Sequence, residues 1–127
     1  MVHTLLVDAN PDERSALGLM LKDLRVMDVH EVADWQSALA EASTSQPDLI
    51  LVDFELLPSE AEAALESLRE VCPGVMILLL LGHLDPRWLD HQTLKVNGRL
   101  SKDDSSELVF ERLSAVVRSL GREPREK

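Results

Sequence analysis

Two acids and one lysine stand at corresponding positions along this sequence. Asp8, Asp53 and Lys102 each follow or close a short run of residues with a β-strand composition. If these runs are parallel strands of one sheet, their carboxyl ends meet at one edge, where α/β proteins bind ligands. Two neighbouring carboxylates can hold Mg²⁺ through oxygen ligands, and a lysine ammonium can neutralise a phosphoryl oxygen. The set therefore suits transfer of a phosphoryl group to a carboxylate, with Asp53 as the nucleophile.

The elements that would position these residues alternate along the chain. Candidate strands cover residues 4–7, 29–32, 49–52, 75–81 and 99–101. Each is followed by a segment with apolar residues at helical spacing, and only the fourth, near residues 86–96, has a weak pattern. Five strands alternating with five helices predict an α/β fold with a parallel sheet. Residues 49–52 and 75–81 are continuously apolar, so we expect them to be central strands with helices on both faces.

Helix starts are marked by side chains that can accept hydrogen bonds from the first amide groups of a helix. Asn10, Ser59 and Asp104 each stand three residues before a glutamate, which is the spacing of a capping box. The first of these also precedes a proline, the residue favoured in the first turn. An Asp-Pro pair at residues 85–86 marks a further start.

Composition limits the classes of function that this chain can have. Its 127 residues carry a formal net charge of −10, which repels the phosphate backbone, so we expect no direct contact with nucleic acid. The longest apolar run, residues 75–81, is far shorter than the roughly 20 residues that span a bilayer. The N-terminus lacks a signal-peptide pattern. We therefore expect a cytoplasmic protein without membrane contact, with one domain over residues 1–120 and a flexible tail or linker start over residues 121–127.

Other residues that often mark a site give no such indication here. Cys72 is the single cysteine, which excludes an intrachain disulfide and a cysteine-based zinc cluster. The four histidines lack metal-ligand spacing, and the glycines form no phosphate-binding loop. We therefore do not expect this chain to be an enzyme.

Three motifs around the acids and the lysine carry a resemblance to a known family. The segments Leu-Leu-Val-Asp at 5–8, Pro-Asp-Leu-Ile-Leu-Val-Asp at 47–53 and Gly-Arg-Leu-Ser-Lys at 98–102 resemble those of response-regulator receiver domains of two-component signalling. The resemblance implies a flavodoxin-like, doubly wound fold with strand order 2-1-3-4-5. It also implies Asp53 as the phosphoacceptor and Lys102 as the phosphoryl-binding residue. The metal ligands would be the carboxylates of Asp8 and Asp53 and the backbone carbonyl of Glu55.

The sequence departs from the family pattern at several positions. Ala9 stands where receivers usually have a second acid that ligates the metal, so we expect weak Mg²⁺ binding. Leu81 replaces a Ser or Thr whose hydroxyl bonds the phosphoryl group, and Arg99 replaces an aromatic residue that usually moves with that hydroxyl. These two departures indicate an altered or absent conformational switch. Asp103 replaces the proline that usually follows the lysine, as in receivers joined to helix-turn-helix output domains.

Two functional hypotheses follow from the matches and the departures. In the first, Asp53 accepts a phosphoryl group from a sensor histidine kinase or a phosphotransfer protein, and this changes the affinity for a partner or an output domain. In the second, the chain is a degenerate receiver that acts as a docking or dimerisation module without phosphorylation. Both leave a homodimer open as the functional form.

Overall fold

The computed structural model describes residues 2–82 and 94–122, and within them the five strands form one parallel sheet. These strands are β1 (His3–Val7), β2 (Asp28–Val32), β3 (Leu49–Asp53), β4 (Met76–Leu81) and β5 (Gly98–Ser101). Their spatial order is β2-β1-β3-β4-β5, and every neighbouring pair is parallel. The flavodoxin-like α/β fold and the strand order implied by the resemblance are thus confirmed. Each predicted strand agrees with the observed one to within one residue at either end.

Four α-helices and one short 3₁₀ helix lie within the described residues. The α-helices are α1 (Pro11–Asp23), α2 (Trp35–Ser45), α3 (Ala61–Val71) and α4 (Ser106–Arg122), and the 3₁₀ helix (Phe54–Leu56) follows β3 directly. The weak helix predicted near residues 86–96 falls almost entirely on residues 83–93, outside the described residues. Helix α4 continues through the first two residues of the tail predicted over 121–127, and the rest of that tail, residues 123–127, lies outside the described part. None of the described helices is both long enough and apolar enough to cross a membrane.

Among the described residues, two helices cover each face of the sheet, and the strands supply side chains to both layers. Leu5 and Val7 of β1 pack in the cluster beneath α2 and α3, whereas Leu6 between them packs beneath α1 and α4. All five residues of the central strand β3 are buried. Its continuous apolar run follows from this position, because a strand covered on both faces has no solvent-facing side. The prediction that β3 and β4 are central is confirmed by the strand order.

Only one of the three helix caps predicted on described residues is correct. Asn10 Oδ1 accepts hydrogen bonds from the backbone N–H groups of the second and third helical residues of α1. Helix α3 starts after Glu60 and has no side-chain cap, so the prediction for Ser59 is wrong. Helix α4 starts one residue later than Asp104 predicts, because Ser105 Oγ accepts a hydrogen bond from Leu108 N at 3.2 Å. Before both helices several polar residues follow one another, and the packing of the helix on the sheet decides which of them stands at the helix start.

Contacts between ionisable side chains join β1, β2 and α2 at the β2 edge of the sheet. Asp28, at the start of β2, pairs with His3 Nδ1 and lies 3.1 Å from His30 Nε2. The other ring nitrogen of His30 lies 2.8 Å from Glu41 Oε2 on α2. The hydrogen bond with His3 is the main cause that lowers the pKa of Asp28, with the two imidazole charges adding to it. Ionised Asp28 therefore stabilises the folded state.

Replacing Asp28 by asparagine is expected to destabilise the protein more at neutral pH than at about pH 3. A carboxyl group with a lowered pKa contributes stability above its unfolded-state pKa, and this contribution is lost as the pH falls through the folded-state value. Urea unfolding of wild type and Asp28→Asn at about pH 7 and about pH 3 measures the difference. Asp23→Asn, at the exposed end of α1, is the matched control and should show no loss at either pH. An equal loss at both pH values would contradict the assignment.

Candidate functional site

The carboxyl ends of β1, β3 and β5 bring Asp8, Asp53 and Lys102 together at one edge of the sheet. Asp53 is the last residue of β3, and the other two residues directly follow their strands. The ladder continues past the strand ends, because Asp8 N donates to Val32 O at 3.2 Å and Lys102 N donates to Leu81 O at 2.8 Å. Backbone hydrogen bonds of the sheet therefore fix where all three side chains begin. This convergence was expected from the sequence, and the structure has it.

Lys102 Nζ lies among three carboxylates. It is 2.6 Å from Asp53 Oδ2, 2.6 Å from Glu13 Oε1 and 3.3 Å from Asp8 Oδ2. The first two contacts have hydrogen-bond geometry, whereas the third is an ion pair only. The side chains of Asp8 and Asp53 are 1% and 9% exposed, so their charges are poorly screened by water. Lys102 is the cation that compensates them in the described part of the chain.

Each aspartate holds its own loop with one oxygen and directs the other toward Lys102. Asp8 Oδ1 accepts a hydrogen bond from Asn10 N at 3.0 Å, and Asp53 Oδ1 accepts one from Glu55 N at 2.9 Å. Both bonds run from a backbone amide two residues further on, the pattern of an Asx turn. Arg14 Nη1 also donates to the backbone carbonyl of Asp8 at 2.6 Å. The two carboxylates are therefore held in orientation before any ligand binds.

Burial and neighbouring charges change the protonation equilibria of this cluster. Burial is the largest influence on Asp8 and raises its pKa, and the negative charges of Asp53 and Glu13 add to that increase. The hydrogen bond from Asn10 N and the charge of Lys102 oppose the increase only in part. Partial burial by itself would lower the pKa of Lys102, but the hydrogen bonds to Asp53 and Glu13 and the negative charges of Asp53 and Asp8 together outweigh it and raise that pKa. Lys102 is therefore charged at neutral pH, and Asp8 loses its proton less readily than an exposed aspartate does.

The cluster opens into a cleft with the donor atoms that a hard cation prefers. The cleft has a volume of about 390 Å³, and its wall includes the three carboxylates, Ala9 and Gly82. Asp8, Glu13 and Asp53 can each present one oxygen so that all three oxygens lie within 4.8 Å of one another. Asp8 Oδ2 is buried and lacks a hydrogen-bond partner. Carboxylate oxygens and an unsatisfied buried oxygen fit Mg²⁺, which binds oxygen ligands.

The remaining predicted site residues lie around this cleft or beside it. The side chain of Glu55 is exposed on the cleft wall, and Ala9 is exposed there without an oxygen to offer a metal. Leu81, the last residue of β4, is half-buried and packs against the core beneath α2 and α3. Arg99 Nη2 donates to Leu94 O at 3.1 Å, so its side chain reaches the segment before β5. The roles predicted for the carbonyl of Glu55 and for the three departures stay predictions.

Glu13 is a site residue that the sequence analysis did not identify. Its spacing from Asn10 predicts a reciprocal capping contact, but the backbone N–H of Asn10 donates to Asp8 instead. The Glu13 carboxylate is thereby free of the cap and contacts Lys102. A signal was present in the helical periodicity, since Glu13 stands one turn before the buried Leu17 and shares its helix face. An acidic residue that shares the buried face of a helix and lies in its first turn is therefore placed near the edge of the sheet.

Comparison with solved structures identifies the architecture, whereas no protein-family model and no curated protein matches the chain. A chemotaxis response regulator of Vibrio cholerae superposes with a TM-score of 0.73 at 24% identity, over 91% of this chain and 98% of that one. The REC domain of AraT, a response regulator from Geobacillus stearothermophilus, gives a TM-score of 0.79 at 19% identity, over 98% of each chain. The fold is that of a response-regulator receiver domain.

A third structure with the receiver fold has a metal in its site. It is the receiver domain of a sensor histidine kinase from Pseudomonas aeruginosa, which has a magnesium ion coordinated in the active-site cleft. It superposes with a TM-score of 0.70 at 25% identity, over 90% of this chain and 98% of that chain. The acidic cluster of Asp8, Glu13 and Asp53 in the present chain is consistent with binding of such an ion.

Proposed function

We propose that this chain is a response-regulator receiver that accepts a phosphoryl group on Asp53 from a sensor histidine kinase or a phosphotransfer protein. The main support is the 2.6 Å contact between Asp53 Oδ2 and Lys102 Nζ at the carboxyl edge of a receiver fold. Asp8 stands beside this pair, and the described residues around it form a cleft that could receive a phosphodonor. Phosphorylation of Asp53 would then modulate the binding of a partner protein or an output domain.

Each residue of the site has a defined part in the proposed transfer. A carboxylate oxygen of Asp53 attacks phosphorus, the new O–P bond forms, and the P–N bond to the donor histidine breaks. The imidazole nitrogen keeps the electron pair of the broken bond and takes up a proton from solvent. Lys102 moves from the Asp53 carboxylate to a phosphoryl oxygen and neutralises part of its charge. The hydrogen bond from Glu55 N fixes the orientation of the nucleophile.

The acids of the cleft would hold Mg²⁺ in this reaction. Asp8 and Asp53 provide carboxylate oxygens, and the backbone carbonyl of Glu55 is the further ligand implied by the resemblance. Bound Mg²⁺ would neutralise negative charge on the phosphoryl oxygens as the O–P bond forms. Asp8 favours a cation for a physical reason, since its pKa is raised by burial and its Oδ2 lacks a hydrogen-bond partner. A bound cation relieves both conditions.

A phosphodonor assay tests the proposed acceptor directly. The protein is incubated with a small-molecule phosphodonor and MgCl₂, and the intact mass is measured before and after treatment with hydroxylamine, which cleaves acyl phosphates. The wild type is expected to gain one phosphoryl group that hydroxylamine removes. Asp53→Asn should gain none, because an amide of the same size lacks the nucleophilic charge.

The control and the contrary outcome are equally specific. Asp103→Asn removes an exposed acid from the same cleft and should leave the adduct intact. An unmodified wild type at saturating Mg²⁺ would contradict phosphorylation and would favour a docking module that acts without it. An adduct that persists in Asp53→Asn would place the acceptor elsewhere.

A further inference from the structure

Glu13 occupies a position from which it can contact either Lys102 or a cation in the cleft. It lies in the first turn of α1, and its Oε1 is 2.6 Å from Lys102 Nζ. Its side chain is 39% exposed, in contrast to the buried side chains of Asp8 and Asp53. The Glu13 carboxylate therefore has exposed space in which to turn, whereas Asp8 and Asp53 are held by hydrogen bonds from their own loops.

We propose that Glu13 is the third carboxylate of the divalent-cation site. When a divalent cation binds, the Glu13 carboxylate leaves Lys102 and becomes a ligand of the cation. The inference rests on the proposed function, because it concerns the same metal site and the same lysine. It assigns to Glu13 the charge that Ala9 cannot supply from its position after β1. The longer glutamate side chain reaches the cleft from the following helix.

The charges of the cluster support this exchange. Three carboxylates and one ammonium group leave two negative charges in excess around Lys102. A divalent cation matches that excess, and the three carboxylates can converge within 4.8 Å without moving a strand. Of the three acids, Asp8 also has a buried oxygen, Oδ2, that forms an ion pair with Lys102 at 3.3 Å and accepts no hydrogen bond. This buried oxygen can therefore accept a further ligand from the cleft.

The exchange has a consequence for the lysine. In the structure, Lys102 is hydrogen-bonded to both Glu13 and Asp53. When Glu13 turns to the cation, Lys102 loses one of these two partners and becomes available to a phosphoryl oxygen. Metal binding and release of Lys102 are thus coupled through one side chain.

Titration of variants with MgCl₂ by isothermal calorimetry tests the proposal. Glu13→Gln is expected to weaken Mg²⁺ binding about 10-fold or more, because it keeps the shape of the side chain and removes its charge. Asp12→Asn is the matched control, since it removes the same charge from a neighbouring exposed position of the same helix turn. It should change the affinity only slightly, through the general field of the domain.

A second variant separates a missing ligand from a folding defect. Ala9→Asp restores an acid beside Asp8, so it should strengthen Mg²⁺ binding in the wild type and recover most of the affinity lost in Glu13→Gln.

Equal losses in Glu13→Gln and Asp12→Asn would overturn the proposal, as would a wild type that binds no Mg²⁺. If Glu13→Gln binds Mg²⁺ normally and Asp53 is still phosphorylated, the inference fails and the proposed function stands. If Glu13→Gln loses affinity but the wild type gains no phosphoryl group, the proposed function fails and the inference stands.

Discussion

Replacing Lys102 by methionine is expected to lower the free energy of unfolding of the metal-free protein by about 2–4 kcal/mol. The substitution keeps the length of the side chain and removes the charge that lies within 3.3 Å of the carboxylates of Asp8, Glu13 and Asp53. Asp8 and Asp53 would then be buried acids without a compensating cation, which is among the costlier changes in a protein interior. The loss is smaller than for a fully buried pair, because the Lys102 side chain is 21% exposed.

The pH dependence and the Mg²⁺ dependence of this variant are equally diagnostic. The charge of Lys102 is one of the influences that lower the pKa of Asp8, so its removal raises that pKa further. An acid with a raised folded-state pKa favours folding at low pH, and this contribution is lost as the pH rises through the folded-state value. The difference between wild type and Lys102→Met should therefore be smaller at pH 5 than at pH 8. Mg²⁺ should stabilise the variant more than the wild type, because no ammonium group competes for the acids.

Urea unfolding with and without MgCl₂ at the two pH values measures these differences. Lys22→Met, at the exposed end of α1, is the control for loss of a positive charge from the same domain. If both variants lose the same stability, Lys102 does not compensate the cleft carboxylates, and its 2.6 Å contacts carry no net energy.

Truncation of Leu79 to alanine is expected to cost about 3 kcal/mol or more of folding free energy. Leu79 is fully buried in β4 and belongs to the core cluster beneath α2 and α3. Removing its branched end leaves a cavity between the sheet and the helices, and close packing on both sides limits collapse around it. Because whole domains are stable by only about 5–15 kcal/mol, this single change removes a large share of the total.

Leu19→Ala provides a matched comparison for the same chemical change. Leu19 lies on α1 and is 63% exposed, so its truncation removes little buried surface and places a better helix former in the helix. Urea unfolding should show a change of about 0.5 kcal/mol or less for this variant. Similar losses in the two variants would mean that β4 is not the packed centre of the sheet.

The sheet could be predicted from sequence because its signal is local and repeated. Each strand is a short apolar run, and β3 and β4 are apolar throughout because helices cover both of their faces. Strand boundaries agree to within one residue, since the polar residues that end the runs also mark the sheet edge.

The helix caps were harder to predict. At residues 103–106 the sequence offers two aspartates followed by two serines, and each could accept the first amide hydrogen bonds of a helix.

The acids and the lysine of the site were predictable for the same reason as the sheet. In a parallel arrangement, the residue that ends each strand lies at the carboxyl edge whatever the exact packing of the helices. Glu13 could not be assigned in this way, because its position depends on how α1 is rotated about its own axis. That rotation is set by burial of Leu17 and Leu21 against the sheet, and it turns the preceding glutamate toward Lys102.

By itself, the sequence therefore determined the parallel sheet and the placement of Asp8, Asp53 and Lys102 at its carboxyl edge. Strand composition and strand ends suffice for that result, because parallel pairing of the strands brings their carboxyl ends together at one edge of the sheet. Only the tertiary structure decided that Glu13 joins them, that Lys102 lies among three carboxylates, and that Asp8 Oδ2 is buried without a hydrogen-bond partner. These features depend on helix docking and on side-chain distances of a few ångströms, which result from packing over the whole core and from no single segment.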